Sequence, residues 1–134
     1  MNVLIVEAHP DLAALWQRHL VRGGAEVRMA TTADEAIGVL MNWNVDVIVL
    51  DIQPGAGSAI AIADYASYRR PGARVIFVTR SRFFSDGSIF NLVPNAAAYL
   101  EAHTAPEDLA AIVEHHAIMR ASEQAPAHAA GSNQ

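Results

Sequence analysis

Residues 45–79 read VDVIVLDIQPGAGSAIAIADYASYRRPGARVIFVT, and this stretch decides the fold. Val45, Val47, Ile48, Val49 and Leu50 form a nearly unbroken apolar run that ends on Asp51. A strand with that pattern is covered on both faces, as strands of parallel sheets are. The turn-forming residues 54–58 follow, then a helix is predicted from Ser58 to Arg70, broken by Pro71-Gly72. Arg74 to Thr79, built on Val75-Ile76-Phe77-Val78, is the next strand. Strand, helix and strand in 35 residues make a βαβ unit, whose two strands run parallel.

The same alternation extends in both directions. Upstream, Val3-Leu4-Ile5-Val6 is a second buried strand, and Pro10 suits the first turn of the helix that follows. Leu12, Leu15, Trp16 and Leu20 fall at helical spacing, and Gly23-Gly24 supplies the stop. Val27 to Ala30 is a short strand, and Thr32 with Glu35 three residues on forms a capping box for a helix whose buried stripe is Ala36, Ile37 and Leu40. Downstream, residues 80–96 read as a loop with one short helix around Ile89, Leu92 and Val93, and Ala97 to Leu100 as a weak fifth strand. Thr104 and Glu107 repeat the capping box before a last helix with the stripe Leu109, Ile112, Val113 and His116. From Ala121 the composition turns to Ala, Pro, Ser, Gly, Asn and Gln without periodicity, which predicts one domain over residues 1–120 and a disordered tail over 121–134.

Five strands alternating with helices predict an α/β fold, a parallel sheet with helices on both faces, and right-handed crossovers leave few topologies for it. Composition agrees: 134 residues, 52% hydrophobic and 17% charged, suit one well-packed domain. No apolar run approaches the roughly 18 residues of a membrane span, and no secretory leader pattern opens the chain. Cysteine is absent, so disulfides, thiolate zinc sites and cysteine nucleophiles are excluded, and a reducing cytoplasm is the expected compartment. All nine basic residues are arginine, which excludes lysine Schiff bases and the P-loop lysine; a net charge of −5 argues against direct nucleic-acid binding.

In a doubly wound sheet, ligands gather at the carboxyl ends of the strands near the switch in strand order. Glu7 and Asp51 end two buried strands and Thr79 a third. A carboxylate at such a place is costly unless solvated, paired or bound to a cation. Two of them together suit a hard cation such as Mg²⁺. Solvated strand ends or helix caps are the plain alternative. Other residues carry less. His9-Pro10 reads as a pocket rim and helix start. His115 and His116 project about 100° apart and cannot share a metal as an i, i+4 pair would. Ser58 and Ser81 have no histidine at a recognisable spacing and no G-x-S-x-G elbow, and Gly55-x-Gly57 lacks the third glycine of a dinucleotide fingerprint. Trp16 and Trp43 read as packing residues. Phe83-Phe84 reads as packing or as an exposed pair available to a partner.

The segments VLIVEAHPD, VDVIVLDIQPGAG, ARVIFVT and NAAAYLEAHTAPEDL, in that order, resemble the receiver domain of two-component response regulators over residues 2 to about 118. The resemblance implies a flavodoxin-like doubly wound five-stranded parallel sheet with helices on both faces, Asp51 as phosphoacceptor and Thr79 as the hydroxyl contacting the phosphoryl group. It implies Tyr99 as the switch aromatic, and Mg²⁺ held by Glu7, Asp51 and the backbone carbonyl of Gln53. It implies a histidine kinase or phosphotransfer protein as donor, a downstream protein partner and pairing of two copies as an option; no enzymatic turnover and no direct contact with membrane or nucleic acid are expected. With little chain after the last helix, output is expected through protein contacts around Phe83 to Tyr99 and the helix after Thr104.

The departures from the family pattern bear on chemistry. The acidic pair is Glu7-Ala8, so the carboxylate that would bind Mg²⁺ most directly is missing. The lysine position is Ala102 and the following proline position His103; the loop after Asp51 is one residue short; Asn95 replaces a glycine; and Arg80 follows Thr79 where a small residue is usual. An aspartyl phosphate brings about two negative charges beside Glu7. At ~4 Å and an effective dielectric near 20, each opposing unit charge is worth roughly 4 kcal/mol before desolvation. Two such groups are gone, so ordinary Mg²⁺-dependent phosphorylation is expected to be slow or lost, unless Arg80 or Arg82 reaches the phosphoryl oxygens. A non-phosphorylated pseudo-receiver serving as an interaction module is one alternative; a small flavodoxin-like nucleotide or flavin binder is the other.

Overall fold

The computed structural model describes residues 1–52, 56–79 and 95–132, with side chains at 56, 57 and 123–132 excepted. In chain order the elements are β1 (Asn2–Val6), α1 (Pro10–Arg22), β2 (Glu26–Ala30), α2 (Ala33–Asn42), β3 (Val47–Asp51), α3 (Ala56–Arg69), β4 (Arg74–Thr79), β5 (Ala96–Glu101) and α4 (Pro106–Ser132). All strands are parallel, in the order β2-β1-β3-β4-β5. The expected α/β architecture is what forms. The short helix expected around Ile89 lies outside the described residues.

Alternation along the central strands divides the core into two layers. Leu4, Ile48, Leu50, Val75 and Phe77 pack with Ala36 and Leu40 of α2 and Ala59, Ile62, Ala63 and Ala66 of α3. Val3, Ile5, Val47, Val49, Ile76 and Val78 pack with Ala13, Trp16 and Leu20 of α1 and Leu109, Val113 and Ala117 of α4. β1, β3 and β4 are sealed on both faces, which is why they read as continuous apolar runs. β2 is the half-exposed edge; its Arg28 guanidinium lies 4.3 Å from the centre of the Trp43 ring, covering an aromatic face at the end of α2.

The helix signals are answered individually. Gly23 and Gly24 close α1, with Gly24 at φ 98°, in the left-handed region that suits glycine. Thr32 and Glu35 form the predicted capping box: the Glu35 amide donates to Thr32 Oγ1 at 3.2 Å and the Thr32 amide to Glu35 Oε1 at 3.2 Å. Thr31 adds its amide and hydroxyl, each 2.7 Å from the same oxygen, and these bonds hold the Glu35 carboxyl below its ordinary pKa.

Two details differ from expectation. The amides of Asp108 and Leu109 both donate to the Ala105 carbonyl, so Ala105 caps α4 rather than Thr104. Pro106 explains this: its fixed φ and missing N–H place it at the first helical position, so the cap is the residue just before it. Thr104 instead belongs to the turn that closes β5, its amide donating to the Glu101 carbonyl. In β5, Val75 pairs with Ala96 and Ile76 with Ala98, leaving Ala97 as an extra residue. The helical backbone of α4 runs to Ser132.

Candidate functional site

The chain leaves β1 toward β2 on one side and enters β3 on the other, so the strand order reverses between β1 and β3. A crevice opens at the carboxyl ends of these two strands, the place where doubly wound folds bind ligands. Val6 pairs with Leu50, which sets Glu7 and Asp51 side by side, one step beyond the last paired residues. Both carboxylate residues are buried, Glu7 at 1% and Asp51 at 6% exposure. They border a cavity of about 210 Å³ whose wall also includes Ala8, Thr31 and Thr32 from the strand ends, and Ser58 at the start of α3. That is room for a phosphoryl group and a few waters, each of which takes about 30 Å³ in the liquid.

His9 completes the arrangement. Its backbone carbonyl opens α1 by accepting from the Ala13 amide at 3.1 Å, while its side chain makes no capping bond. The ring turns back instead, placing Nδ1 3.2 Å from Glu7 Oε2, and the His9 amide donates to the same oxygen at 3.2 Å. One potential ligand atom from each of Glu7, His9 and Asp51 lies within 4.8 Å of the other two. Two buried carboxylate oxygens at this separation fit a divalent cation, with waters completing its shell.

Thr79, the expected phosphoryl-contacting hydroxyl, ends β4 in a buried position next to Asp51's own strand. Asp51 stands opposite Val78, so Thr79 is one residue further along. The Thr79 carbonyl accepts from the Ala102 amide at 2.7 Å, tying β4 to the end of β5. Tyr99 pairs with Phe77, two steps back along β5 from Glu101, and its ring packs against the α2–α3 core layer. It therefore stands apart from the acidic trio. Gln53, Arg80, Arg82, Phe83 and Phe84 lie outside the described residues. Sequence reasoning places His9 at the rim but gives it no part in the acidic cluster; its position two residues after Glu7, at a helix cap it does not fill with its side chain, is the signal that could have found it.

His115 and His116 lie ring to ring on α4 with centroids 5.2 Å apart in an edge-on arrangement. His116 is half-buried as its stripe position predicts, and burial, aided by His115 and Arg74, pushes its imidazole below the ordinary value. No described helix is long and apolar enough to cross a membrane.

A family model described as the response regulator receiver domain matches residues 3–114. Among solved structures, the chain is similar to a CheY-like receiver domain protein from Methanospirillum hungatei JF-1, with 26% identity, 91% of this chain and 97% of that chain covered, and a TM-score of 0.79. It is similar to a response regulator from Burkholderia pseudomallei solved with a phosphorylated aspartic acid, calcium and citrate: 24% identity, 92% and 72% coverage, TM-score 0.71. It is also similar to TrrA from Thermotoga maritima, solved in complex with Mg²⁺-BeF: 21% identity, 86% and 97% coverage, TM-score 0.73. No curated protein matches the sequence.

Proposed function

The chain belongs to the response regulator receiver domain family, and on that premise we propose that it accepts a phosphoryl group on Asp51 and signals through protein contacts. The donor is the phosphohistidine of a histidine kinase or phosphotransfer protein. A carboxylate oxygen of Asp51 forms the new O–P bond as the P–N bond to histidine breaks, and the imidazole leaves with a proton.

The observation that carries the reading is the pairing of Glu7 and Asp51 as buried carboxylates at the switch point of the sheet. Asp51 is fixed by β3, whose residues are all buried, so the accepting oxygen is held in place before the donor arrives. A divalent cation bound there supplies positive charge against the phosphoryl oxygens. Glu7 and Asp51 would hold it, with the Gln53 carbonyl as a third oxygen. Thr79, buried on the adjacent strand, is the hydroxyl donor nearest in register to Asp51. Tyr99 is the aromatic through which a change at Thr79 would reach the surface beside β5. The compartment that fits such signalling is the cytoplasm.

Ala8 and Ala102 favour a second reading, in which the fold is kept as an interaction module and Asp51 is never modified. Incubation with acetyl phosphate and Mg²⁺, read by intact mass, separates the two. A gain of one phosphoryl group that disappears in Asp51→Ala supports phosphotransfer. No gain with either Mg²⁺ or Mn²⁺ favours the interaction module, and a gain that survives Asp51→Ala refutes the site.

A further inference from the structure

We infer that the crevice is a three-ligand metal site, Glu7–His9–Asp51, in which the His9 imidazole takes over from the carboxylate missing at Ala8 and shifts the preferred ion from Mg²⁺ to a divalent first-row transition metal such as Mn²⁺ or Zn²⁺. The inference rests on the reading of Glu7 and Asp51 as the cation-holding pair.

Geometry supports it first. Ligand atoms about 2.1 Å from an ion at right angles to each other stand roughly 3.0 Å apart, and those on opposite sides roughly 4.2 Å apart. Nδ1 of His9 is 3.2 Å from Glu7 Oε2, the separation of adjacent ligands. All three atoms of the trio fall within 4.8 Å, so closing on an ion asks only a small side-chain adjustment. Two of the three ligands are rooted at the ends of rigid central strands, and the third at the first turn of α1.

The behaviour of His9 is the second support. It holds a helix N-cap, where Ser, Thr, Asp or Asn ordinarily turns its side chain onto the helix amides. Here the backbone opens the helix and the side chain makes no capping bond, so the ring is directed to the acidic pair instead. With 54% of its side chain exposed, the ring meets Glu7 from the solvent side, while both carboxylate residues are buried. An ion held by the trio would thus be reached by solvent and by a phosphodonor from one side.

Donor chemistry sets the selectivity. Carboxylate, carbonyl and water oxygens suit Mg²⁺, which gains little from an imidazole nitrogen. Zn²⁺ is well suited by an imidazole nitrogen, and affinity for a mixed nitrogen and oxygen set rises along the first row from Mn²⁺, the hardest of these ions. Replacing a carboxylate at position 8 by an imidazole at position 9 therefore weakens Mg²⁺ and favours its transition-metal competitors.

Calorimetric titration of the full chain with Mn²⁺, Zn²⁺ and Mg²⁺ tests this, with His9→Ala, His9→Asp and Asp51→Asn beside wild type. The expected result is a loss of Mn²⁺ and Zn²⁺ affinity in His9→Ala of roughly 10- to 100-fold, the scale on which even a residue that merely orients a metal ligand acts. Mg²⁺ affinity stays within about three-fold in that variant, because Mg²⁺ draws little on the nitrogen. His9→Asp restores an all-oxygen set and raises Mg²⁺ affinity above wild type. Unchanged Mn²⁺ and Zn²⁺ affinity in His9→Ala, together with loss in Asp51→Asn, overturns the inference and leaves the acidic pair standing. Unchanged affinity in Asp51→Asn overturns both. Phosphoryl gain by mass is read separately, so a receiver that is phosphorylated with Mg²⁺ and indifferent to His9 is recognised as such.

Discussion

Asp51→Asn is expected to stabilise the fold in the absence of divalent cations. Glu7 and Asp51 are almost wholly buried, with carboxylate oxygens within 4.8 Å of each other. With both ionised, the Coulomb repulsion at that distance is about 3.5 kcal/mol for an effective dielectric near 20. His9 beside Glu7 and the cavity that both carboxylates border offset part of this. Asparagine keeps the shape, removes one charge and offers Glu7 an amide donor. A net gain of about 1–2 kcal/mol is the expected remainder, which raises the melting temperature by roughly 4–8 °C for a domain of this size. The assay is urea and thermal unfolding at neutral pH in chelator, wild type against Asp51→Asn, repeated with saturating Mn²⁺. The cation should stabilise wild type by about 2.7 kcal/mol at one hundred times its dissociation constant and leave the variant nearly unmoved, so the order of stabilities reverses. A variant no more stable than wild type in chelator would refute the electrostatic coupling on which the site rests.

Two further outcomes concern the far end of the sheet and the last helix. Arg120 donates from Nη1 to Asp46 Oδ1 and from Nε to the Gly72 carbonyl at 2.7 Å, while Asp46 Oδ2 accepts from the Asn2 amide at 2.7 Å. Arg120→Met, which leaves these largely buried acceptors short of a donor, should cost about 1–3 kcal/mol in denaturant titration, and a change below about 0.5 kcal/mol would show the network to be ornamental. His116 has its pKa lowered in the folded state by burial and by His115 and Arg74, so as pH falls through about 6.5 the unfolded chain takes up the proton first and stability drops until the folded imidazole titrates. Between pH 7.5 and 5.5 His116→Leu should therefore lose less stability than wild type; an equal loss in both contradicts the assignment.

Much of this architecture was legible because the physics is local. VLIV at 3–6 and VIVL at 47–50 are apolar on consecutive residues, which only a strand covered on both faces accommodates, and they became β1 and β3 at the centre of the sheet. Thr32 and Glu35 announced a helix start through two reciprocal hydrogen bonds within four residues. What depended on longer range was harder to read. The same capping pattern at Thr104 failed because the turn after β5 draws the Thr104 amide to Glu101, two residues before Pro106 starts the helix. Ala97 became a bulge through its pairing with β4, which no property of an alanine foretells. The juxtaposition of Glu7 and Asp51 could be anticipated from strand ends, but the turn of the His9 ring toward Glu7 depends on a cap position whose side chain was free to go elsewhere.

The substitutions at the β5 end bear on the cation as well. Ala102, at the family's lysine position, packs against the layer under α1 and α4 while its amide bonds to Thr79. His103, next along, is exposed and drawn to Glu101, with Nε2 2.8 Å from its carboxylate. Among the described residues, then, the β5 end presents no ammonium group to Asp51, and a phosphoryl group there would meet its nearest protein charge in Glu7. Losing the lysine removes one favourable charge term of roughly 4 kcal/mol, and losing the acid at Ala8 weakens the hold on the ion that supplies another. A site with both losses needs a further ligand for the ion or a cation such as Arg80 at the phosphoryl oxygens, and among the described residues His9 is the one whose ring reaches the acidic pair. Phosphorylation of Asp51 should accordingly follow the occupancy of the metal site more steeply than in a receiver that keeps its lysine, because the ion carries charge compensation that two groups would otherwise share.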